Sequence, residues 1–268
     1  MTYQLLFGFL LAVIVASMAW YFNSLSKSGA LGAVLIGTVI FGLGGWKWAI
    51  ILLTFFISSS MLSRMFSNRK TGLSEKFEKG SQRDMSQVLA NGGIAAIFTI
   101  MHFFFPSESW PWTGFIASMA AVNADTWATE LGVLNPGPPR LMTNFKKVEK
   151  GTSGAISLVG TLASFLGASL VAIIAIFLMP VDDPILLYCI ISISGILGSG
   201  FDSLLGSTIQ AIYRCPACNK ETERHPLHSC GTETTLIRGL KWLNNDLVNA
   251  GCAFAGPFFA LLFLWIVR

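Results

Sequence analysis

Two carboxylates, Asp125 and Glu130, lie in the run Asn123-Ala-Asp-Thr-Trp-Ala-Thr-Glu130, within an otherwise apolar stretch. An ionisable group inside a membrane span costs about 2.5–3.5 kcal/mol on insertion scales, so its presence asks for a reason. Asp202, in Gly198-Ser-Gly-Phe-Asp-Ser203, is a third such group, while Asp84 and Asp246 begin two further apolar stretches. Amides accompany them. Gln87 and Asn91 are one helical turn apart, as are Asn245 and Asn249, so each pair shares a face; Asp202 and Gln210 are two turns apart. Such groups either hold a cation and a charged substrate or tie helices together by hydrogen bonds. The second reading is as good as the first for a single amide, and poor for four aspartates at one depth.

The segment after Glu130 supplies the opposite charge. It reads Pro139-Arg-Leu-Met-Thr-Asn-Phe-Lys-Lys-Val-Glu-Lys-Gly-Thr-Ser-Gly154, with Arg140, Lys146, Lys147 and Lys150 as its cations. Lys150-Gly-Thr-Ser-Gly154 is expected to open the sixth helix. Glycines there allow close backbone approach, and a helix N-terminus presents free N–H groups to an anion. Carboxylates beside this arrangement suit Mg²⁺ bound through substrate phosphates. An ordinary basic loop with a capped helix start is the alternative. The chain contains no Gly-x-x-x-x-Gly-Lys-Ser/Thr, which excludes a P-loop.

A second constellation follows: Cys215-Pro-Ala-Cys218, then His225, His228 and Cys230. One C-x-x-C says little, but a third Cys and two His close behind fit a four-ligand structural zinc site. Cys215, Cys218, His228 and Cys230 are the favoured ligands, with His225 as the alternative fourth. Free thiols or a redox pair compete with zinc here. Cys189 and Cys252 fall in spans and read as packing residues, as does His102 near the far end of the fourth span.

The elements that position these groups are helices in a membrane. Of the 268 residues, 53% are hydrophobic and 12% charged, against about 25% charged in globular domains. The apolar residues fall in runs at 3–22, 29–43, 46–62, 86–105, 112–134, 153–179, 184–212 and 246–267. A crossing helix needs roughly 20 residues. The chain is therefore expected to be all-α, a polytopic bundle of about eight spans; seven plus a re-entrant hairpin is the alternative, because the second run is short and ends at Gly44-Gly45. No internal repeat is visible, and an inverted-repeat transporter would show matching halves. The first span lacks the charged lead and cleavage site of a secretory signal and is expected to be retained.

With eight spans and the N-terminus outside, 16 of the 18 basic residues face the cytoplasm, leaving Lys47 and Arg268. That distribution satisfies the positive-inside rule and gives cytoplasmic loops at 63–82, 135–152 and 213–245. The first loop reads as a basic amphipathic surface helix, with Met65, Phe66, Leu73 and Phe77 between the charges. Trp110 and Trp112 are expected in the outer aromatic belt. Asp125 then lies about 9 Å below the inner surface, at 1.5 Å per residue. All four aspartates reach that side, in one membrane domain covering 1–268. A prokaryotic plasma membrane is the expected location, with membrane lipid as neighbour and no nucleic acid as partner.

Several motifs together resemble one family. They are Lys27-Ser-Gly-Ala-Leu, Gly44-Gly-Trp-Lys, Arg83-Asp-x-x-Gln-Val-Leu-Ala-Asn-Gly-Gly93, Asn123-Ala-Asp-Thr-Trp-Ala-Thr-Glu-Leu-Gly132, Pro139-Arg-Leu, Lys150-Gly-Thr-Ser-Gly, Asp202-Ser-Leu-Leu-Gly-Ser-Thr-Ile-Gln210 and Asn244-Asn-Asp-Leu-Val-Asn249. In this order they resemble the phytyl-phosphate kinase family of integral membrane proteins, which also includes vertebrate transmembrane protein 19. Asp-Thr-x-Ala-x-Glu followed by Lys-Gly-Thr-x-Gly is also similar to the pattern of CTP-dependent phytol and dolichol kinases.

The resemblance implies phosphoryl transfer from a nucleoside triphosphate, CTP-like, to an isoprenoid monophosphate. It implies Mg²⁺ on Asp125 and Glu130, and nucleotide phosphates on Lys150, Gly151, Thr152 and Gly154. Arg140, Asp202 and Asp246 join the candidate catalytic residues. Arg83, Gln87, Asn91, Asn123, Lys146, Ser153, Asn245 and Asn249 join the candidate binding residues. A homodimer remains open. The rival class is an ion-coupled transporter or lipid flippase using the same polar cluster; polar groups across the whole membrane depth would favour it, and concentration at one surface favours an interfacial enzyme. A zinc-stabilised scaffold that binds partners through its loop is a third class.

Overall fold

A computed structural model describes residues 2–66, 76 and 82–267. Most of the expected surface helix in 63–82, including Leu73 and Phe77, lies outside these residues. Eight helices make the frame: α1 (Thr2–Tyr21), α2 (Lys27–Val39), α3 (Trp46–Met65), α4 (Met85–Phe104), α5 (Trp110–Gly132), α6 (Leu158–Leu178), α7 (Pro184–Thr208) and α8 (Asn245–Val267). Seven of these segments are long and apolar enough to cross a membrane, the second counted with its π-helical continuation Ile40–Gly44. The chain is a polytopic helical membrane protein.

The eighth helix, α5, falls outside that set, and it is the centre of the bundle. It carries Asp125 and Glu130, yet every residue from Pro111 to Ala124 is buried. A helix enclosed on all sides belongs inside other helices, and α5 packs against α3, α4, α6, α7 and α8. Small residues permit the close approach. A Cβ at Gly195 would lie 2.7 Å from Ala168 Cβ, and one at Gly198 would lie 2.6 Å from Ala121 Cβ. The α2–α3 connection turns at Gly45, whose φ of +78° is a left-handed value that side chains disfavour. The 18 residues Lys27–Gly44 reach about 27 Å at the helical rise. This segment is therefore long enough to cross, as the eight-span reading requires.

Four expectations need correction. Trp112 is not a belt residue: it is 5% exposed and packs with Trp48 and Phe115, while His102 stacks on Trp48 as a packing residue. Cys189 is exposed on α7, whereas Cys252 is buried. Helix α7 ends at Thr208, so Ile212 is already in a strand. Helix α6 begins only at Leu158, capped by Ser157, whose side chain accepts from Gly160 N. Lys150-Gly-Thr-Ser-Gly154 is thus a turn before the helix, because residues 155 and 156 are drawn into strand pairing.

That pairing belongs to two small sheets that hydropathy does not reveal. Strands β1 (Arg140–Leu141) and β2 (Ala155–Ile156) pair antiparallel in the α5–α6 connection. Strands β3 (Ile212–Arg214), β4 (Glu221–Thr222) and β5 (Thr235–Arg238) form a second sheet, order β4-β3-β5, between α7 and α8. Both lie at the bundle end where α5 and α7 finish and α6 and α8 begin. At the same end, Arg83 pairs its backbone with Ser24 and Ser26 ahead of α2.

Candidate functional site

A cavity of about 350 Å³ opens at this end, between the last turns of α5 and α7 and the first turns of α6 and α8. Asp125 and Asp202 line it, together with Asn245, Glu223 and all of residues 150–154. Asp125 accepts a hydrogen bond from Ser199 Oγ at 3.3 Å. Asp202 Oδ2 is buried without a hydrogen-bond partner among the described residues. Two carboxylates in one low-dielectric site repel unless a proton or cation lies with them. Oxygen ligands and an unsatisfied carboxylate oxygen suit a hard divalent ion, so the residues present fit Mg²⁺.

The 150–154 turn forms one wall and is held from three directions. Lys150 Nζ donates to Val133 O at 3.0 Å and to Asn135 O at 2.6 Å, which ties the turn to the end of α5. Lys76 Nζ donates to Lys150 O at 3.1 Å and pairs with Glu149 Oε2 at 2.8 Å. That hydrogen bond and the Lys76 charge hold the Glu149 carboxyl below its ordinary value. Gly154 meets α7 so closely that a Cβ there would sit 2.1 Å from Ser207 N, and its φ is +74°. Only glycine fits such a contact in that conformation. The N-terminal residues Ser157, Gly160 and Thr161 of the sixth helix complete the wall, so a helix N-terminus does face the cavity, although the turn before it is not helical.

Other predicted residues lie elsewhere. Glu130 does not join Asp125. Five residues along a helix turn the side chain by about 140°, and Glu130 faces α3, accepting from Ser63 Oγ at 2.7 Å. It is buried there within electrostatic reach of Arg83. Arg83 donates to Ser59 and Ser60 and covers the rings of Phe55 and Phe56. With Gln87 and Asn91 it lines a separate, apolar cavity of about 70 Å³ among α1–α4. Gln87 also completes a capping box with Asp84.

Asn123 ties helices together: Nδ2 donates to Gly167 O at 2.8 Å, and Oδ1 accepts from Ser58 Oγ at 3.0 Å. Arg140 donates to Phe145 O and, like Lys146, stands exposed and off the cavity lining. Asn244 caps α8, leaving Asn245 on the cavity, Asp246 buried in the first turn and Asn249 off the lining.

Sequence reasoning missed Ser199 and Glu223 on the cavity lining, and Arg238, which stands behind the 151–153 turn. Ser199 lay in plain view beside Asp202. Glu223 and Arg238 had no signal, because no periodicity runs through their loop. Glu223 Oε1 accepts from Gln210 Nε2 at 2.9 Å, and Gln210 Oε1 accepts from Ser153 Oγ. Arg238 donates to Gly206 O at 2.7 Å; burial lowers its pKa, with Glu221 opposing.

In the same loop, Cys215, Cys218, His228 and Cys230 converge, their ligand atoms all within 4.8 Å of one another. This cluster could hold a metal ion. Hydrogen bonding with Thr232 and then His228 draws the Cys230 thiol down to about 5, while bonding to Cys230 pushes Cys218 up to about 11. His225 is not in the cluster; it stacks on Tyr213 with centroids 4.5 Å apart.

The model of the family described as integral membrane protein DUF92 matches residues 10–257, which include every residue of this cavity. The chain belongs to this DUF92 family. It is 30% identical over 269 residues to Protein PGR of Arabidopsis thaliana, covering 92% of this chain and 91% of that one. Uncharacterized membrane protein MJ0933 of Methanocaldococcus jannaschii is 35% identical over 77% of this chain and 84% of its own. Protein VTE6, chloroplastic, of Arabidopsis thaliana is 28% identical over 94% of this chain and 69% of its own. These relatives support the resemblance read from the motifs. No solved structure matches the chain.

Proposed function

We propose that this DUF92 chain is a membrane-embedded kinase that transfers a phosphoryl group from a nucleoside triphosphate, CTP-like, to an isoprenoid monophosphate of prenyl or phytyl type. One observation carries the reading: Asp125, Asp202, Asn245 and the 150–154 turn share one cavity at the end of the bundle. The basic loops at that end favour a cytoplasmic orientation, in a prokaryotic plasma membrane.

In this reaction an oxygen of the acceptor phosphate attacks the γ-phosphorus. The bond from that phosphorus to the β,γ-bridging oxygen breaks, and the nucleoside diphosphate leaves with its electrons. The acceptor is already anionic, so no strong base is needed, and catalysis rests on positioning and charge neutralisation. Asp125 and Asp202 would hold Mg²⁺, which when bound neutralises phosphate oxygens. The 150–154 turn lines the space that phosphate groups would take, and Lys150 has a third ammonium proton beyond its two carbonyl bonds. The prenyl chain would lie against apolar helix surface; Leu158 and Leu162 present such surface in the first turns of α6, the helix whose N-terminus faces the cavity. Glu130, turned to α3, keeps Arg83 company and positions the helix. The Cys/His cluster would hold a structural zinc ion outside the reaction.

The test is direct. Purified protein is incubated with Mg²⁺, several nucleoside triphosphates and a panel of prenyl monophosphates, and diphosphate formation is followed. Product with at least one pair is expected. No product with any pair overturns the kinase reading.

A further inference from the structure

The Cys/His hairpin and the cavity are joined by one residue. Cys215 directly follows β3, and the turn back to β4 closes through Cys215 N to Lys220 O at 3.0 Å and Asn219 N to Cys215 O at 2.8 Å. Cys218 N donates to Cys215 Sγ at 3.5 Å, so the sulfur is gripped by its own turn. Across from it, Cys215 Sγ and Cys230 Sγ are 3.5 Å apart, and His228 Nδ1 is 3.2 Å from Cys230 Sγ. A tetrahedral zinc ion with bonds of about 2.3 Å to sulfur and about 2.0 Å to nitrogen sets its ligand atoms roughly 3.5–3.8 Å apart. The Cys215–Cys230 separation has that value, the His228–Cys230 one is a few tenths of an ångström shorter, and all four ligand atoms lie within 4.8 Å of one another. All five cysteines of the chain are free, so no disulfide competes for them.

The hairpin closed by this cluster ends at β4, and Glu223 is the next residue. Its backbone N–H donates to Lys76 O at 2.9 Å, and its carboxylate is held by Gln210. There it lines the same cavity as Asp125 and Asp202. The buried hydrophobics Ala211, Ile212, Tyr213 and Leu243 sit at the base of this loop. The arm beyond them has too little apolar surface to fold by burial, which is where a metal ion contributes folding energy outright.

We infer that the hairpin is a zinc-held arm that delivers Glu223 to the cavity as its third carboxylate, completing a divalent-cation site with Asp125 and Asp202. The inference rests on the reading of that cavity as a cation and phosphate site. It adds a binding residue from outside the membrane helices and makes the cavity's cation affinity depend on a second metal. Asp202 Oδ2, buried without a hydrogen-bond partner among the described residues, is the group such an ion would satisfy.

The experiment uses the full chain in detergent, without substrate. Zinc per chain is measured by elemental analysis, and Mn²⁺ binding by electron paramagnetic resonance, with Asp202→Asn marking the signal that belongs to the cavity. Glu223→Gln is expected to keep its zinc and its melting temperature while losing Mn²⁺ affinity roughly ten- to a hundredfold. Glu223→Asp should recover part of the loss. Stripping zinc with a zinc-selective chelator should weaken Mn²⁺ binding similarly in wild type and add little in Glu223→Gln.

Wild-type Mn²⁺ affinity in Glu223→Gln overturns the inference. So does full affinity in zinc-stripped protein, or an absence of zinc from the wild type. If stripping unfolds the chain, the Gln and Asp variants decide alone. A chain that binds Mn²⁺ through Glu223 yet forms no diphosphate leaves this inference standing and overturns the kinase reading. A chain that binds no Mn²⁺ without substrate overturns this inference and leaves the kinase reading to the product assay.

Discussion

The two faces of α5 carry similar residues in different states. On one face, Asp125 looks onto a cavity shared with Asp202 and the 150–154 turn. On the other, Asn123 and Glu130 are bonded to neighbouring helices through Ser58, Gly167 O and Ser63. Trp127 Nε1 also donates to Ser58 Oγ, which extends that network. A polar group that is satisfied by its neighbours stabilises the bundle, and one that faces an open cavity is available to a ligand. Each face carries one carboxylate with a serine donor, so what separates structure from chemistry here is whether the carboxylate opens onto the cavity or onto a neighbouring helix.

Exchanging the acids on the two faces gives the largest expected effect. Asp125→Asn should lower turnover on the order of 10²-fold or more while leaving the melting temperature unchanged. Glu130→Gln should do the reverse, reducing stability and sparing most of the turnover, because it removes a buried charge that faces Arg83 and is bonded by Ser63. Kinetics and thermal unfolding of both variants read this out; the larger turnover loss in Glu130→Gln would invert the comparison.

Next is the wall of the cavity. Gly154→Ala forces a left-handed residue against the backbone of α7. It should cost about 1–3 kcal/mol and weaken nucleotide binding with it, measured by denaturant unfolding and a nucleotide titration. A variant as stable as wild type would mean that the turn does not pack where it is drawn.

Asn123→Ala sharpens the quiet face. Removing both of its hydrogen bonds should lower stability by about 1–2 kcal/mol, in line with interhelical bonds in membranes. The KM for nucleotide should not move, since Asn123 is off the cavity. A raised KM with unchanged stability would transfer Asn123 to the other side of the comparison.

The smallest effect is at Glu149. Its folded pKa lies below the ordinary 4.5 because of Lys76. Its stabilisation is therefore present above the unfolded value and is lost as the pH falls through the folded one. The carboxylate is 85% exposed, so the contribution should stay within about 0–1 kcal/mol. Glu149→Gln should flatten the acid limb of the stability curve by that amount and leave pH 7 turnover unchanged.

Part of this arrangement could be read from the residues in order. Long apolar runs determine helices in a membrane because the backbone must satisfy itself there. Acids at their ends, with basic loops beside them, determine a polar end of the bundle. Asp125, Asp202, Asn245 and residues 150–154, which share the cavity, are candidates on these grounds, as are the four cysteine and histidine residues that converge in the loop. Even the parting of Asp125 from Glu130 follows from helical geometry. Sequence alone did not determine which neighbour each face of α5 meets, since that depends on the packing order of α3, α6 and α7. Nor did it place Glu223. That residue lies in a loop without periodicity, and its approach to Asp202 exists only because the hairpin folds back over the ends of the helices.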